Sequence, residues 1–319
     1  MHRRTFLSSL SSSLLVSGSA LKLGVAPAAG AVRPLKIKEI SGMALTVKDF
    51  NRSRRFYTEV LGLGPDTSGT INPELGMKFF MESGHVSVWM PGKWEEVNPH
   101  LVGRQPSDIG GKKHFNMFID VSDAKAALEN LKKHNVKLWG PRHFDNGEVH
   151  IDFEDPDGHL LEYVGRPSKE ARGRKSSGPP KIQKIGEIAL VVSDLERSRK
   201  FYSDGLGLEE AHFGNTKPDG GVTFHFGDGY LGLWLPGKWK GANPHLPANV
   251  GADLSGKSHL NVTIDLSEGQ AAVERLEQNH VKFWGPRYHR KNEPTGDVHI
   301  DFEDPDGHLL EFHGINQPA

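Results

Sequence analysis

One run of thirteen residues, HIDFEDPDGHLLE, occurs twice in the chain and constrains the fold more than any other feature. The copies begin at His150 and His299, and the halves around them differ a good deal. In the first copy, Asp155-Pro156-Asp157-Gly158 places proline at the second turn position and glycine last, where a positive φ is needed. Each copy is therefore predicted to form a strand, a type I turn with a glycine bulge, and a second strand. This geometry places Asp152 opposite Glu162, and Asp301 opposite Glu311 in the second copy.

Side chains alternate along these strands, which divides each hairpin into a polar and an apolar face. The polar face carries a histidine, an aspartate and a glutamate in both copies: His150, Asp152 and Glu162, then His299, Asp301 and Glu311. Imidazole and carboxylate groups on one face favour a site for a charged ligand, and a solvated outer face is the alternative. The histidines within the turns, His159 and His308, are expected at the surface.

The rest of the chain is also duplicated. Residues 36–64 match a second segment that starts at residue 181, and the motifs PGKW, NPHL and WGPR recur in the same order. This internal repeat predicts two domains, 36–166 and 181–315. Residues 167–180 are basic and rich in serine, glycine and proline, which is typical of an exposed linker.

Each half shows the same loose pattern twice: a strand, a helix, and several strands. The loops that contain PGKW and NPHL, with Trp94 and Trp239, are expected over a cavity mouth or packed between the halves.

The chain has no cysteine and a formal net charge of −1, and both facts narrow the function. Disulfides, thiol nucleophiles and cysteine-based metal sites are excluded. A net charge near zero gives no general attraction to nucleic acids or anionic membranes, so no partner of either kind is expected. A metal ion would have to be held by His, Asp, Glu or Asn, and the chain contains 17 histidines.

Residues 1–34 resemble an export signal. Arg3-Arg4-Thr5-Phe6-Leu7 has a twin-arginine pattern, and a mildly apolar segment follows that is too polar to span a membrane. Ala29-Gly30-Ala31 fits a cleavage site, so the mature protein is expected to start near Val32 and to be periplasmic or extracellular, without membrane attachment. An uncleaved tail is the alternative.

Several strands carry polar residues on the face opposite their apolar residues. His114 and Asn116 oppose Phe115, Met117 and Ile119, and His259 and Asn261 do the same in the second half. In the opening strand of the second half Glu187 opposes Ile188, whereas the first half has Gly42 at the matching position. A sheet that packs helices on one side and curves around a cavity on the other would gather these polar groups.

These residues resemble a known family. Asp49 with Ser53, Phe56-Tyr57 and Leu61-Gly62, repeated at Asp194, Ser198, Phe201-Tyr202 and Leu206-Gly207, is similar to the opening signature of the vicinal oxygen chelate superfamily. The DPDGH turn followed by Leu-Leu-Glu resembles its last strand. The resemblance implies an α+β fold of tandem paired βαβββ modules that curl around a divalent metal ion. It is much less specific for the reaction.

The resemblance also implies a ligand set. The second half offers Glu187, His259 and Glu311 for a divalent Fe, Mn, Zn, Ni or Co ion, and His299, Asp301 and Asn261 lie beside them as candidate catalytic residues. The first half offers His114 and Glu162, but Gly42 leaves it one ligand short unless His100, His143, His150 or the substrate completes it. One competent site in the second half is expected, and two sites are the alternative.

A metal-dependent enzyme acting on a small molecule with vicinal oxygens is therefore the first hypothesis. Since Glu187 takes the place of a histidine that ring-cleaving members have, a glyoxalase- or epimerase-like lyase or isomerase is favoured over an extradiol dioxygenase. An exported, non-catalytic binding or resistance protein is the alternative of another class. A homodimer is possible in each case.

Overall fold

The first half contains eight strands and two α-helices within the residues described by the computed structural model, which are 35–68, 74–101, 109–167, 178–212, 219–289 and 296–315. The elements are β1 (Ile37–Thr46), α1 (Phe50–Arg55), β2 (Gly64–Pro65), β3 (Gly76–Phe80), β4 (His85–Trp89), β5 (His114–Asp120), α2 (Ala124–Lys133), β6 (Leu138–His143), β7 (Val149–Glu154) and β8 (Leu160–Arg166). The order is twice strand, helix, strands, as predicted.

The second half repeats this order. Its elements are β9 (Lys184–Val191), α3 (Leu195–Lys200), β10 (Gly221–Phe226), β11 (Gly229–Trp234), α4 (Lys238–Ala242), β12 (His259–Asp265), α5 (Gly269–Gln278), β13 (Phe283–His289), β14 (Asp297–Glu303) and β15 (Leu309–Ile315). The first helix of each half begins at an aspartate: the side chains of Asp49 and Asp194 accept hydrogen bonds from Arg52 N and Arg197 N. Such caps satisfy backbone donors that the helix leaves free.

Two sheets are formed by the described strands, and each sheet takes strands from both halves. The eight-stranded sheet has the order β13-β14-β15-β12-β1-β4-β3-β2, and the seven-stranded sheet has the order β10-β11-β9-β5-β8-β7-β6. The joins are antiparallel: β1 pairs with β12, and β5 pairs with β9. The predicted α+β fold of tandem paired βαβββ modules is confirmed, but the modules pair across the two halves.

One continuous apolar core contains the inner faces of both sheets. Phe115 on β5, Ile188 on β9, Met43 on β1 and Leu260 on β12 are fully buried in it. Alternation therefore leaves the histidines, asparagines and carboxylates of the same strands on the opposite, concave faces.

The two family signatures contact each other in the fold. The Tyr57 hydroxyl, after α1, donates to Asp155 Oδ2 in the β7–β8 turn (3.0 Å), and Ser53 Oγ donates to Asp157 Oδ2 (2.9 Å). In the second half Tyr202 donates to Asp304 at 2.9 Å. Because β1 and β7 lie in different sheets, each of these bonds links one sheet to the other.

The turn histidines are buried, and the expectation that they lie at the surface is wrong. His159 and His308 are 2% and 1% exposed. His159 Nδ1 accepts from Lys113 N (3.2 Å), and its Nε2 lies 3.0 Å from Thr46 O on β1. His308 makes the matching bonds in the second half. The histidines therefore satisfy backbone groups between the sheets.

The predicted export signal and most of the predicted linker cannot be compared with the structure. The export signal, residues 1–34, lies entirely outside the described residues, and so do residues 168–177 of the linker. In the part of the chain that is described, no helix combines the length and apolar character needed to cross a membrane.

The Tyr57–Asp155 bond generates a stability prediction. Tyr57→Phe is expected to lower the free energy of unfolding by about 1–3 kcal/mol, because it leaves a buried carboxyl group without its hydroxyl donor. Urea unfolding would measure the change. Tyr163→Phe is the matched control, because the Tyr163 hydroxyl is buried without a hydrogen-bond partner among the described residues. Equal losses in both variants would contradict the prediction.

Candidate metal centres

A row of polar side chains crosses the concave face of the seven-stranded sheet. In the strand register Asn116 on β5 lies between Glu187 on β9 and Glu162 on β8, and Asp152 on β7 lies beyond Glu162. Asn116 Nδ2 donates to Glu187 Oε2 at 3.3 Å. His114 is two residues before Asn116 and shares its face, and its Nδ1 lies 3.2 Å from the Leu160 carbonyl oxygen. Such a bond leaves Nε2 as the ring nitrogen that can bind a ligand.

The eight-stranded sheet carries a matching row. Asn261 on β12 lies between Gly42 on β1 and Glu311 on β15, and Asp301 on β14 follows Glu311. The side-chain amide of Asn261 donates to Glu311, and His259 Nε2 is 3.7 Å from Glu311 Oε2. The predicted register of the hairpins, with Asp152 opposite Glu162 and Asp301 opposite Glu311, is correct.

The predicted grouping of the ligands is wrong. Glu187 does not lie with His259 and Glu311, because its strand pairs with β5 of the first half. The structure groups Glu187 with His114 and Glu162. Gly42, which was expected to weaken the site of the first half, instead faces the row that contains Glu311.

A histidine fills the space above Gly42. His85 on β4 lies beside Gly42, and a Cβ added to Gly42 would lie 2.6 Å from His85 Cε1 and 2.7 Å from Asn261 Oδ1. In the other sheet Tyr230 takes the position beside Glu187. The two rows therefore differ at two positions. Tyr230 and Glu187 of the seven-stranded sheet correspond to His85 and Gly42 of the eight-stranded sheet. His85 was not among the predicted ligands, because it lies on a strand that has no ligand in the family pattern.

Two arginines, which were not predicted as site residues either, bind the carboxylates. Arg142 Nη2 donates to Glu162 Oε1 (2.7 Å) and Asp152 Oδ2 (3.2 Å). Arg287 donates to Asp301, and its Nη2 is 3.7 Å from Glu311. Each arginine ends the recurring WGPR motif, where the β6–β7 and β13–β14 registers shift. Recurrence of this motif was the available signal, but the shift that turns the arginine inward cannot be derived from strand alternation.

The hairpin histidines contact the same glutamates. His150 Nδ1 donates to Glu162 Oε1 at 2.7 Å, and His299 Nδ1 makes the matching bond to Glu311. A nitrogen that donates to a glutamate positions that carboxylate. His150 thus positions Glu162. His143 is exposed at the outer strand β6, opposite Val149.

The PGKW and NPHL loops of each half cover the hairpin of the other half. His245 Nε2 is 3.2 Å from Asp152 Oδ2, and His100 Nε2 is 3.3 Å from Asp301 Oδ2. His100 therefore does not complete the set of His114 and Glu162. The rings of Trp239 and Trp94 pack on His114 (4.5 Å) and His259 (4.7 Å), and both tryptophans are buried.

Each row opens into a cavity. The cavity of the seven-stranded sheet, about 430 Å³, is lined by His114, Glu162 and Glu187, together with Tyr230 and Trp239. The cavity of the eight-stranded sheet, about 770 Å³, is lined by residues that include His85, His100, Asn261, Arg287, His299 and Glu311. Both volumes suit a small molecule.

A family model for the Glyoxalase/Bleomycin resistance protein/Dioxygenase superfamily matches residues 39–163 and again residues 184–312. The chain belongs to this superfamily. The resemblance noted from the paired signatures is confirmed.

Curated relatives in the superfamily cover parts of the chain. A glutathione transferase, FosA, of Serratia marcescens is 30% identical over 132 residues, which are 41% of this chain and 81% of that protein. A catechol-2,3-dioxygenase of Bacillus subtilis is 25% identical over 191 residues, which are 52% of this chain and 63% of the relative. These proteins have different names and activities, so the matches support the superfamily and leave the reaction open.

Solved structures match over nearly the whole length. A putative dioxygenase from Bacillus subtilis is 18% identical with a TM-score of 0.58, and the match covers 89% of this chain and 87% of that one. Glyoxalase I from Zea mays is 19% identical with a TM-score of 0.51, and the match covers 86% and 92%. At these identities the likeness shows the fold alone.

The three candidate ligands at the seven-stranded sheet differ in how their surroundings shift their pKa values. Burial lowers the pKa of the His114 imidazole to about 4, so this ring is neutral at pH 7. Burial and the charge of Glu162 raise the pKa of Glu187 to about 8. Burial alone would raise the pKa of Glu162, but the hydrogen bond and charge of His150 lower it. Glu187 is thus the ligand candidate that retains a proton at neutral pH.

Three residues of the eight-stranded sheet lie close enough together to bind a metal ion. One atom each of His259, Asp301 and Glu311 lies within 4.8 Å of the others, and all three residues are buried. His259 Nε2 is buried without a hydrogen-bond partner among the described residues. An imidazole nitrogen beside two carboxylates is a donor set for a borderline divalent ion.

The raised pKa of Glu187 predicts how metal binding depends on pH. In a His259→Ala background, Mn²⁺ affinity at the seven-stranded sheet is expected to rise by up to about tenfold per pH unit from about pH 6 to pH 8, because Glu187 must lose its proton. Isothermal titration calorimetry at several pH values would measure this slope. Adding Glu187→Gln should flatten it, and an unchanged slope in that variant would contradict the assignment.

Proposed function

We propose that the protein is a divalent-metal-dependent enzyme for a small substrate with two neighbouring oxygen atoms, and that the catalytic ion is held by His114, Glu162 and Glu187. The observation that carries this proposal is the placement of these three donors. They come from adjacent strands β5, β8 and β9 and face one cavity; His114 and Glu162 are buried and Glu187 is partly buried. Each lies where the superfamily resemblance implies a ligand.

Three protein ligands leave coordination positions open for substrate. A divalent ion bound there would supply Lewis-acid polarisation to two substrate oxygens. One imidazole and two carboxylates suit Fe, Mn, Zn, Ni or Co, and the donor set does not select among them.

The chain's own residues would orient these ligands and the substrate. Arg142 and His150 hold Glu162 from one side, and the Leu160 carbonyl fixes the ring of His114. Trp239, packed on His114, shields that imidazole from water. Asp152 lies between Arg142 and His245, so it can exchange a proton with the neighbouring imidazole.

Within this proposal a glyoxalase- or epimerase-like lyase or isomerase reaction is favoured. Two carboxylates and one imidazole differ from the two-histidine, one-carboxylate set typical of non-haem iron oxygenases. A probable lactoylglutathione lyase of Arabidopsis thaliana is 28% identical over 170 residues, which are 51% of this chain and 42% of that protein. Its name supports testing thiol adducts of 2-oxoaldehydes as substrates.

A ring-cleaving dioxygenase is the second candidate, and His85 favours it. In the eight-stranded sheet His85 occupies the space above Gly42, so His85, His259 and Glu311 together supply two imidazoles and one carboxylate. The match to a catechol-2,3-dioxygenase supports the same candidate. If Fe(II)-loaded protein opened catechol with O₂ and His85→Ala abolished the reaction, the lyase or isomerase preference would be wrong.

The principal test compares matched histidines. His114→Ala is expected to remove one equivalent of bound divalent metal and to lower kcat/KM for the active substrate by at least about 100-fold, because a ligand is lost. Elemental analysis and steady-state kinetics with oxoaldehyde adducts would measure both. His259→Ala, in the matching position, is the control and should retain this activity.

The reverse pattern, with activity lost only in His259→Ala, would move the catalytic ion to the eight-stranded sheet. Folded protein that takes up no metal after supplementation would sink the enzyme proposal. It would favour a non-catalytic binding or resistance protein instead.

A further inference from the structure

A third group of potential ligands lies at the outer part of the eight-stranded sheet, on β13, β14 and β15. His289, Asp297 and His299 each offer an atom within 4.8 Å of the others. His313 completes the group: its ring stacks on that of His299 with centroids 4.4 Å apart, and its Nε2 lies 3.7 Å from Asp297 Oδ2. These four residues are called the edge cluster below.

Two polar atoms of the edge cluster are unsatisfied. Asp297 Oδ1 and His313 Nε2 are buried and have no hydrogen-bond partner among the described residues. Buried polar atoms are nearly always paired in native proteins, because leaving one unpaired costs free energy. A cation bound between them would satisfy both atoms at once.

The seven-stranded sheet provides an internal comparison, because the duplication places different residues at the same positions. Phe144 stands in place of His289, Val164 in place of His313, and Glu148 in place of Asp297. Arg166 Nε donates to Glu148 Oε1 at 3.1 Å, and the Phe144 ring packs on His150 at 4.4 Å. Arg166 therefore neutralises Glu148 in the seven-stranded sheet. In the eight-stranded sheet the residue at the position of Arg166 is Ile315, so Asp297 has no arginine at that position.

We propose that the edge cluster is an ancillary binding site for a transition-metal ion, with His289, Asp297, His299 and His313 as ligands. Three imidazoles and one carboxylate suit Zn²⁺, Co²⁺ or Ni²⁺, and their hard oxygen-seeking competitors Mg²⁺ and Ca²⁺ bind such a set poorly. The site lies in the other sheet from the proposed catalytic ion, so it does not rest on the proposed function.

His299 connects the edge cluster to the polar row. Its Nδ1 donates to Glu311, and its Nε2 faces Asp297 at 3.6 Å. An ion on Nε2 leaves the ring proton on Nδ1, which keeps the bond to Glu311. The ancillary ion would therefore hold Glu311 in its present orientation.

Co²⁺ titration of the full-length protein tests the site, because Co²⁺ bound to imidazole and carboxylate has a visible absorption spectrum. His289→Phe/His313→Val installs the residues of the other sheet and is expected to remove one equivalent of Co²⁺ with its spectrum. His114→Ala and His259→Ala, which alter the two polar rows, should retain that equivalent. Elemental analysis after dialysis would count the bound ions.

Wild-type stoichiometry and affinity in the double variant would overturn the proposal. Asp297→Asn is the second variant, since it preserves the shape of the cluster and should weaken Co²⁺ binding by at least about tenfold through loss of the carboxylate charge. Circular dichroism verifies that each variant is folded before titration. Loss of metal in His114→Ala alone would support the proposed catalytic site while refuting the edge cluster.

Discussion

The buried bond between a tyrosine hydroxyl and an aspartate, present as Tyr57–Asp155 and again as Tyr202–Asp304, is the constraint on which the rest of the structure depends. Each bond connects the segment after the first helix of a half to its last hairpin. Since those two segments belong to different sheets, the bond fixes how the sheets pack. The polar rows then lie on the concave faces, because the other face of each sheet is buried in the shared apolar core.

This arrangement explains why the superfamily could be recognised while the reaction could not. The residues of both signatures, including Ser53, Tyr57 and the DPDGH turn, mainly bind each other and the neighbouring backbone. Their presence therefore indicates the fold and not the reaction. The residues that would select a substrate are those that line the cavities, such as Tyr230 and His85, and they follow no signature.

Local features of the fold followed from the sequence, and nonlocal ones did not. The opposition of Asp152 and Glu162 was predicted, because turn chemistry and alternation act over a few residues. The partner of Glu187 was not, because the pairing of β9 with β5 or with β12 depends on contacts between modules that no periodicity encodes. Arg142 was not predicted for a related reason, because a register shift after Trp139 turns its side chain toward the carboxylates. The eight candidate site residues named from sequence all face one of the two cavities or support a residue that does, but their division into two groups required the structure.

The pairing of strands across the halves has a further consequence for how the chain is held together. Along β1–β12 and β5–β9, each half supplies the hydrogen-bonding edge that the other lacks. A half on its own would expose both edges and half of each cavity wall. The chain thus has the construction of a fused dimer, in which two similar halves pair their strands along two shared edges. The two halves carry different residues at matching positions of these joins, Gly42 on β1 and Glu187 on β9, while both joins keep the same antiparallel pairing.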